Sequence, residues 1–77
     1  TSRYELTTPL FREVTLHLES FKTFTISAPG LSETKRYIRS VRLNGEPLHR
    51  SYITYKEIMR GGTLEFELTD QRGVIWY

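Results

Sequence analysis

The sequence predicts a mostly β fold, a small antiparallel β-sheet or β-sandwich domain with one short helix, and three features carry that prediction. Residues 13–19 and 63–68 alternate apolar and polar side chains, Asn44-Gly45 joins two runs of strand-formers, and residues 53–58 open a helix. Period-two alternation puts one face of a strand against a core and the other in water. Asn and Gly accept positive φ at both central positions of a type I′ turn, whose twist matches that of paired strands. Thr54 and Glu57 have the spacing of a capping box, and Ile53 with Ile58 has that of a hydrophobic staple.

In chain order, residues 1–12 lack strict periodicity, although Tyr4, Leu6, Leu10 and Phe11 supply much apolar surface around Pro9. They read as a linker or docking segment that packs by its side chains without a regular element, and residues 13–77 read as the β domain proper. In residues 13–19, Val14, Leu16 and Leu18 share the inward face, with Thr15, His17 and Glu19 outward. Residues 22–28 repeat the pattern with Phe24 and Ile26 inward. Ser20-Phe21 is poor turn chemistry, since neither residue favours positive φ, so a loop longer than two residues is expected there. Pro29-Gly30 and the charged residues 33–36 form a surface loop.

Residues 37–43 are a strand with a phase problem, because Ile38 falls opposite Val41 and Leu43 on a regular strand. Either a bulge near Arg39-Ser40 or burial of both faces resolves it. Pro47 cannot donate to a ladder, which makes the returning strand of the hairpin short and places it at a sheet edge. The helix runs from Tyr55 to Arg60, a plug at one end of the sheet, and Gly61-Gly62 stops it. Leu64, Phe66 and Leu68 then point inward, with Glu65 and Glu67 outward. The tail Val74-Ile75-Trp76-Tyr77 is apolar enough to pair or dock.

Seventy-seven residues make one small domain, able to bury only about 60% of its unfolded surface. Without cysteine there is no disulfide framework and no thiolate metal site. Eleven basic and nine acidic residues, interleaved, give a net charge of +2 and an ordinary solvated surface. No apolar run approaches the roughly 20 residues of a membrane span, and the first residues lack a signal pattern. A cytosolic domain or a piece of something longer both fit.

Chemistry is sparse. His17, on an outward strand face, and His49, beside Arg50, each lack an oriented partner. No nucleophile-base set has workable spacing, and no glycine-rich phosphate loop follows a strand. Glu65 and Glu67 share a face as a glycosidase pair would need, but read more simply as solubility charges. Arg36, Arg39 and Arg42 with Tyr37 suggest a nucleic-acid strip, yet a spacing of three alternates faces on a strand, so no nucleic-acid partner is expected. Trp76, Tyr52 and Tyr37 are the candidates for stacking on a sugar ring.

The order Tyr4-Glu5-Leu6-x-x-Pro9-Leu10-Phe11, Val14-Thr15-Leu16-His17-Leu18, Lys22-Thr23-Phe24-Thr25-Ile26 resembles the C-terminal end of glycoside hydrolase family 92, the calcium-dependent alpha-mannosidases. So do Tyr37-Ile38-x-Ser40-Val41-x-Leu43-Asn44-Gly45-x-Pro47 and the stretch from Ile53 to Phe66. The resemblance covers residues 4–68. It implies a non-catalytic C-terminal structural module of an alpha-1,2-mannosidase, an exo-acting, inverting enzyme found in the periplasm or secreted. The partner would be an upstream catalytic domain, an (α/α)6 barrel that holds the acid, the base and the calcium, so the resemblance carries no catalytic or metal residue onto this chain. It also shows departures: Thr7-Thr8 replace a common Gly-Ser, Ser20-Phe21 a turn Asn-Gly, and Tyr55 a usual His. The tail after Asp70 lacks the family's Pro-Asn ending. A stand-alone carbohydrate-binding module and a protein-docking sheet are the competing readings.

Overall fold

The computed structural model of the chain describes residues 2–77. These form β1 (Arg3–Glu5), β2 (Glu13–His17), β3 (Thr23–Ser27), β4 (Tyr37–Leu43), β5 (Glu46–Pro47), β6 (Tyr52–Thr54), α1 (Tyr55–Met59) and β7 (Gly62–Thr69). The strands make a five-stranded sheet in the order β2-β3-β7-β4-β5 and a two-stranded ribbon of β1 and β6. The fold is thus mostly β with one short helix, as the alternation and the capping box predict. Every pairing is antiparallel except β3 with β7, which run parallel. A parallel pair needs a long connection between its strands, and residues 28–61 supply it.

The β1–β6 ribbon corrects the expectation that residues 1–12 hold no regular element. Arg3, Tyr4 and Glu5 lie opposite Thr54, Ile53 and Tyr52, and the Leu6 amide donates to the Ser51 carbonyl at 2.8 Å. Three residues are too few for alternation to register as a strand. Their partner stands about fifty positions away, so only the closed fold exposes the pairing.

The hairpin between β2 and β3 does avoid a two-residue turn. Leu18 donates to the Lys22 carbonyl at 2.9 Å, leaving Glu19, Ser20 and Phe21 as a three-residue loop. Phe21 takes φ 61°. A bulky residue in the left-handed region is strained, and its ring is fully exposed, so no packing of the Phe21 side chain offsets that strain.

The phase problem in β4 is resolved by a bulge. Its register against β7 shifts between Ile38 and Ser40, after which Ile38, Val41 and Leu43 lie opposite Leu68, Phe66 and Leu64 on one face. Asn44 (φ 52°) and Gly45 (φ 84°) make the two-residue turn, and β5 is a two-residue edge strand ending at Pro47. The tail docks without pairing: Trp76 is half-buried against the core and meets the Tyr77 ring edge-on at 5.2 Å, while Val74 and Ile75 stay exposed.

The capping box is formed. The Glu57 amide donates to Thr54 Oγ1 at 3.3 Å, and Glu57 Oε1 accepts from the Thr54 amide at 2.9 Å. Gly61, at φ 80°, ends the helix and donates to the Ile58 carbonyl. Arg50 joins the box, its Nη1 donating to Glu57 Oε1 at 2.8 Å and its Nη2 to Oε2. This bidentate pair, aided by the Thr54 bonds and opposed by burial, holds the Glu57 carboxyl down at about 2 against an ordinary 4.5. A carboxyl depressed by folding contributes stability that is complete above its unfolded pKa and disappears as pH falls through the folded one. The chain is therefore expected to lose stability between pH 4.5 and about 2. Glu57→Gln should flatten the loss in that window. Urea midpoints of both proteins at neutral pH and at about pH 3 check it, and equal acid losses would contradict the assignment.

Candidate functional site

The inward face of the large sheet is unevenly covered. Over β7 and β4 it is sealed, with Leu64, Phe66, Leu68, Val41 and Ile38 all buried beside Leu48 and Ile53. Over β2 it is open: Val14 is half-buried and Leu16 is 39% exposed, although Leu16 lies directly opposite the fully buried Phe24. Alternation chose the right face of β2, and the chain lacks the mass to cover it.

The opening is an apolar groove of about 540 Å³. Its floor is Val14, Leu16, Phe24 and Ile26. β1 with the segment that follows it and Tyr55 and Ile58 of α1 also line it. Leu10 and Phe11 at its rim are 86% and 65% exposed, and Tyr4 is exposed as well. Of the four apolar side chains near Pro9, only Leu6 is half-buried. Contiguous apolar surface of this kind marks a contact site. Thr7 and Tyr55, two of the positions that depart from the family pattern, line it, while Thr8 turns away to donate to the Arg36 carbonyl at 2.6 Å.

The three stacking candidates are not brought together. Tyr37, at the start of β4, accepts a bond from Arg72 Nε at 3.0 Å. Tyr52, in the ribbon, has the Arg3 guanidinium 3.7 Å from its ring centroid and Arg50 at 5.1 Å. Arg3 thus covers one face of that ring. Trp76 lies in the tail. The clustering of Tyr4, Leu6, Leu10 and Phe11 around Pro9 signals an apolar surface in the sequence, but nothing local shows that Val14, Leu16 and Tyr55 converge with it.

The polar side of the sheet is a ladder of opposite charges. Glu65 lies across from Arg42, and Glu67 across from Ser40 with its carboxylate 3.3 Å from Arg39. Both glutamates are exposed, as are His17 and His49.

Residues 1–70 match the family described as the glycosyl hydrolase family 92 catalytic domain. The chain belongs to glycosyl hydrolase family 92. Its fold is similar to part of the family 92 inverting mannosidase BT2199 from Bacteroides thetaiotaomicron VPI-5482, with TM-score 0.87 and 38% identity over 90% of this chain and 9% of that one. It is also similar to the family 92 alpha-mannosidase BT3965 from Bacteroides thetaiotaomicron, solved with mannoimidazole (TM-score 0.83, 25% identity, 90% of this chain and 9% of that one). The family 92 glycosyl hydrolase ccman5 is similar at TM-score 0.87 and 26% identity, over 95% of this chain and 10% of that one. The family 92 chain thus spans about a tenth of the length of these enzymes. A comparison with curated proteins found no match.

The residues present do not fit the calcium that the resemblance implies. Calcium takes six to eight oxygen ligands, whereas no three of His, Cys, Asp or Glu gather among the described residues and Glu67 is engaged by Arg39.

Proposed function

We propose that this chain is a non-catalytic structural segment of a family 92 alpha-mannosidase, an exo-acting, inverting enzyme with preference for alpha-1,2 links, and that its apolar groove seats the upstream catalytic domain. The observation that carries this reading is the groove itself, with Leu10 and Phe11 exposed at its rim on a chain that matches about a tenth of each relative. An inverting glycosidase sets an acid and a base about 6.5–9.5 Å apart across a sugar, in a concave site. Glu65 and Glu67 instead face water on the outer side of the sheet, Glu67 paired with Arg39, which supports the reading that the acid, the base and the calcium are held by the upstream part. The parent would work in the periplasm or outside the cell, on alpha-mannosides.

The experiment compares the chain with the longer enzyme. The isolated chain is expected to release nothing from an aryl alpha-mannoside with calcium present. In the longer enzyme, Leu10→Asp with Phe11→Asp should lower both mannoside release and melting temperature, while leaving the unfolding midpoint of the isolated chain unchanged, because both side chains face solvent there. Calcium-dependent turnover by the isolated chain that Glu65→Gln or Glu67→Gln abolishes would overturn the reading. So would indifference of the longer enzyme to the rim substitutions.

A further inference from the structure

The two edges of the large sheet are built differently. The β5 edge is two residues long and ends in a proline, a common protection against unwanted pairing. The β2 edge is five residues of regular strand, Glu13-Val14-Thr15-Leu16-His17, with no proline, no lysine and no register shift. Two flanking bonds fix its phase. Ala28 donates to the Arg12 carbonyl at 2.8 Å and Leu18 to the Lys22 carbonyl at 2.9 Å, so the even-numbered residues bond to β3. Antiparallel pairs alternate between bonded and non-bonded. Hence the amides and carbonyls of Glu13, Thr15 and His17 all point to the free edge, and none has a backbone partner among the described residues.

That edge is complementary to itself. We propose that β2 pairs antiparallel with β2 of a second copy of this chain about a two-fold axis at Thr15, joining two sheets into one. In this register Thr15 meets Thr15 of the second copy, and Glu13 meets His17 in both directions, so every free donor finds an acceptor. On the outer face a carboxylate then lies opposite an imidazole, which donates to it. On the groove face Val14 meets Leu16 of the second copy at the joined edge, and the grooves themselves stay open. An interface that uses one patch on both subunits closes at two and does not polymerise. The inference stands apart from the mannosidase reading, since it concerns the chain's own free edge.

Sedimentation equilibrium of the 77-residue chain tests it. The mass is expected to rise from 9.1 kDa to twice that below about 1 mM, the range of a small interface. Thr15→Pro deletes an amide that points away from β3, so it should abolish dimerisation while keeping the far-ultraviolet spectrum of the folded chain. His17→Glu places like charges opposite each other twice and should weaken dimerisation about tenfold. Glu13→Lys combined with His17→Glu should restore it; within one strand these two residues are too far apart to compensate each other. If Thr15→Pro fails to fold, the charge variants decide alone. A chain that stays monomeric to about 1 mM overturns the proposal. A dimer indifferent to His17→Glu overturns it too, as does a double variant that does not recover.

Discussion

Phe24→Ala is expected to bring the chain to the verge of unfolding. Phe24 is fully buried at the junction of β3 with β2 and β7, opposite Leu16 and Gly62, and it is one of the largest side chains that the core seals completely. Truncating a buried phenylalanine costs about 3–5 kcal/mol, from lost transfer energy and the cavity left behind. At average stability per residue a domain of this size holds about 4–12 kcal/mol, and a small domain with an open groove belongs at the low end. Leu16→Ala is the internal control, because Leu16 sits opposite Phe24 on the same face yet opens to solvent. It should cost about 1 kcal/mol. Urea unfolding of the three proteins decides: similar midpoints for the two variants would mean that the sheet face is not sealed where the structure seals it.

Gly62→Ala is the second large effect, and it comes from a contact that no local rule announces. Gly62 begins β7 at φ 126°, and a Cβ there would stand 1.9 Å from Asn44 Oδ1. That oxygen is occupied: it accepts from the Thr63 amide at 2.8 Å, while the Asn44 amide donates to the Thr63 carbonyl at 2.8 Å. The turn residue of the β4–β5 hairpin is thereby fastened to the start of the central strand. Alanine adds backbone strain of about 1–3 kcal/mol and displaces a hydrogen bond worth about 1 kcal/mol. The expected loss is about 2–4 kcal/mol. Gly45→Ala, at φ 84° in open space, should lose only the strain. Combining Gly62→Ala with Asn44→Gly removes the clash and should recover part of the stability. No recovery would show that the backbone conformation of Gly62, rather than its contact with Asn44, sets the cost.

These two residues show how far the sequence could be read. Phe24 was legible as core because its strand alternates, and Asn44-Gly45 as a turn because both positions need positive φ. Thr54 and Glu57 were legible as a capping box because three residues separate them. The role of Asn44 as an acceptor for Thr63 was not legible, since nothing nearby in the chain reports which strand lies beside the turn. Arg50 is not legible for the same reason: its bidentate partner Glu57 lies seven residues on, across a strand and a helix start. Residue type alone marks Tyr37, Tyr52 and Trp76 for stacking, whereas the structure engages Tyr37 with Arg72 and Tyr52 with Arg3.

Local elements are therefore written in the chain itself: the alternating strands, the Asn44-Gly45 turn, the capped helix, the inward face of each strand, and, through its spaced motifs, the family. Each follows from interactions that span a few residues, where periodicity, φ preference and capping act directly on neighbours. The closed fold alone reveals that β7 is central, that β3 runs parallel to it, that Arg3–Glu5 is a strand, and that the inward face of β2 stays open as a groove beside an unpaired edge. Those outcomes depend on which segments meet across tens of residues and on how much apolar surface 77 residues can cover. Alternation says which side of a strand avoids water, but whether anything covers that side depends on the closed fold.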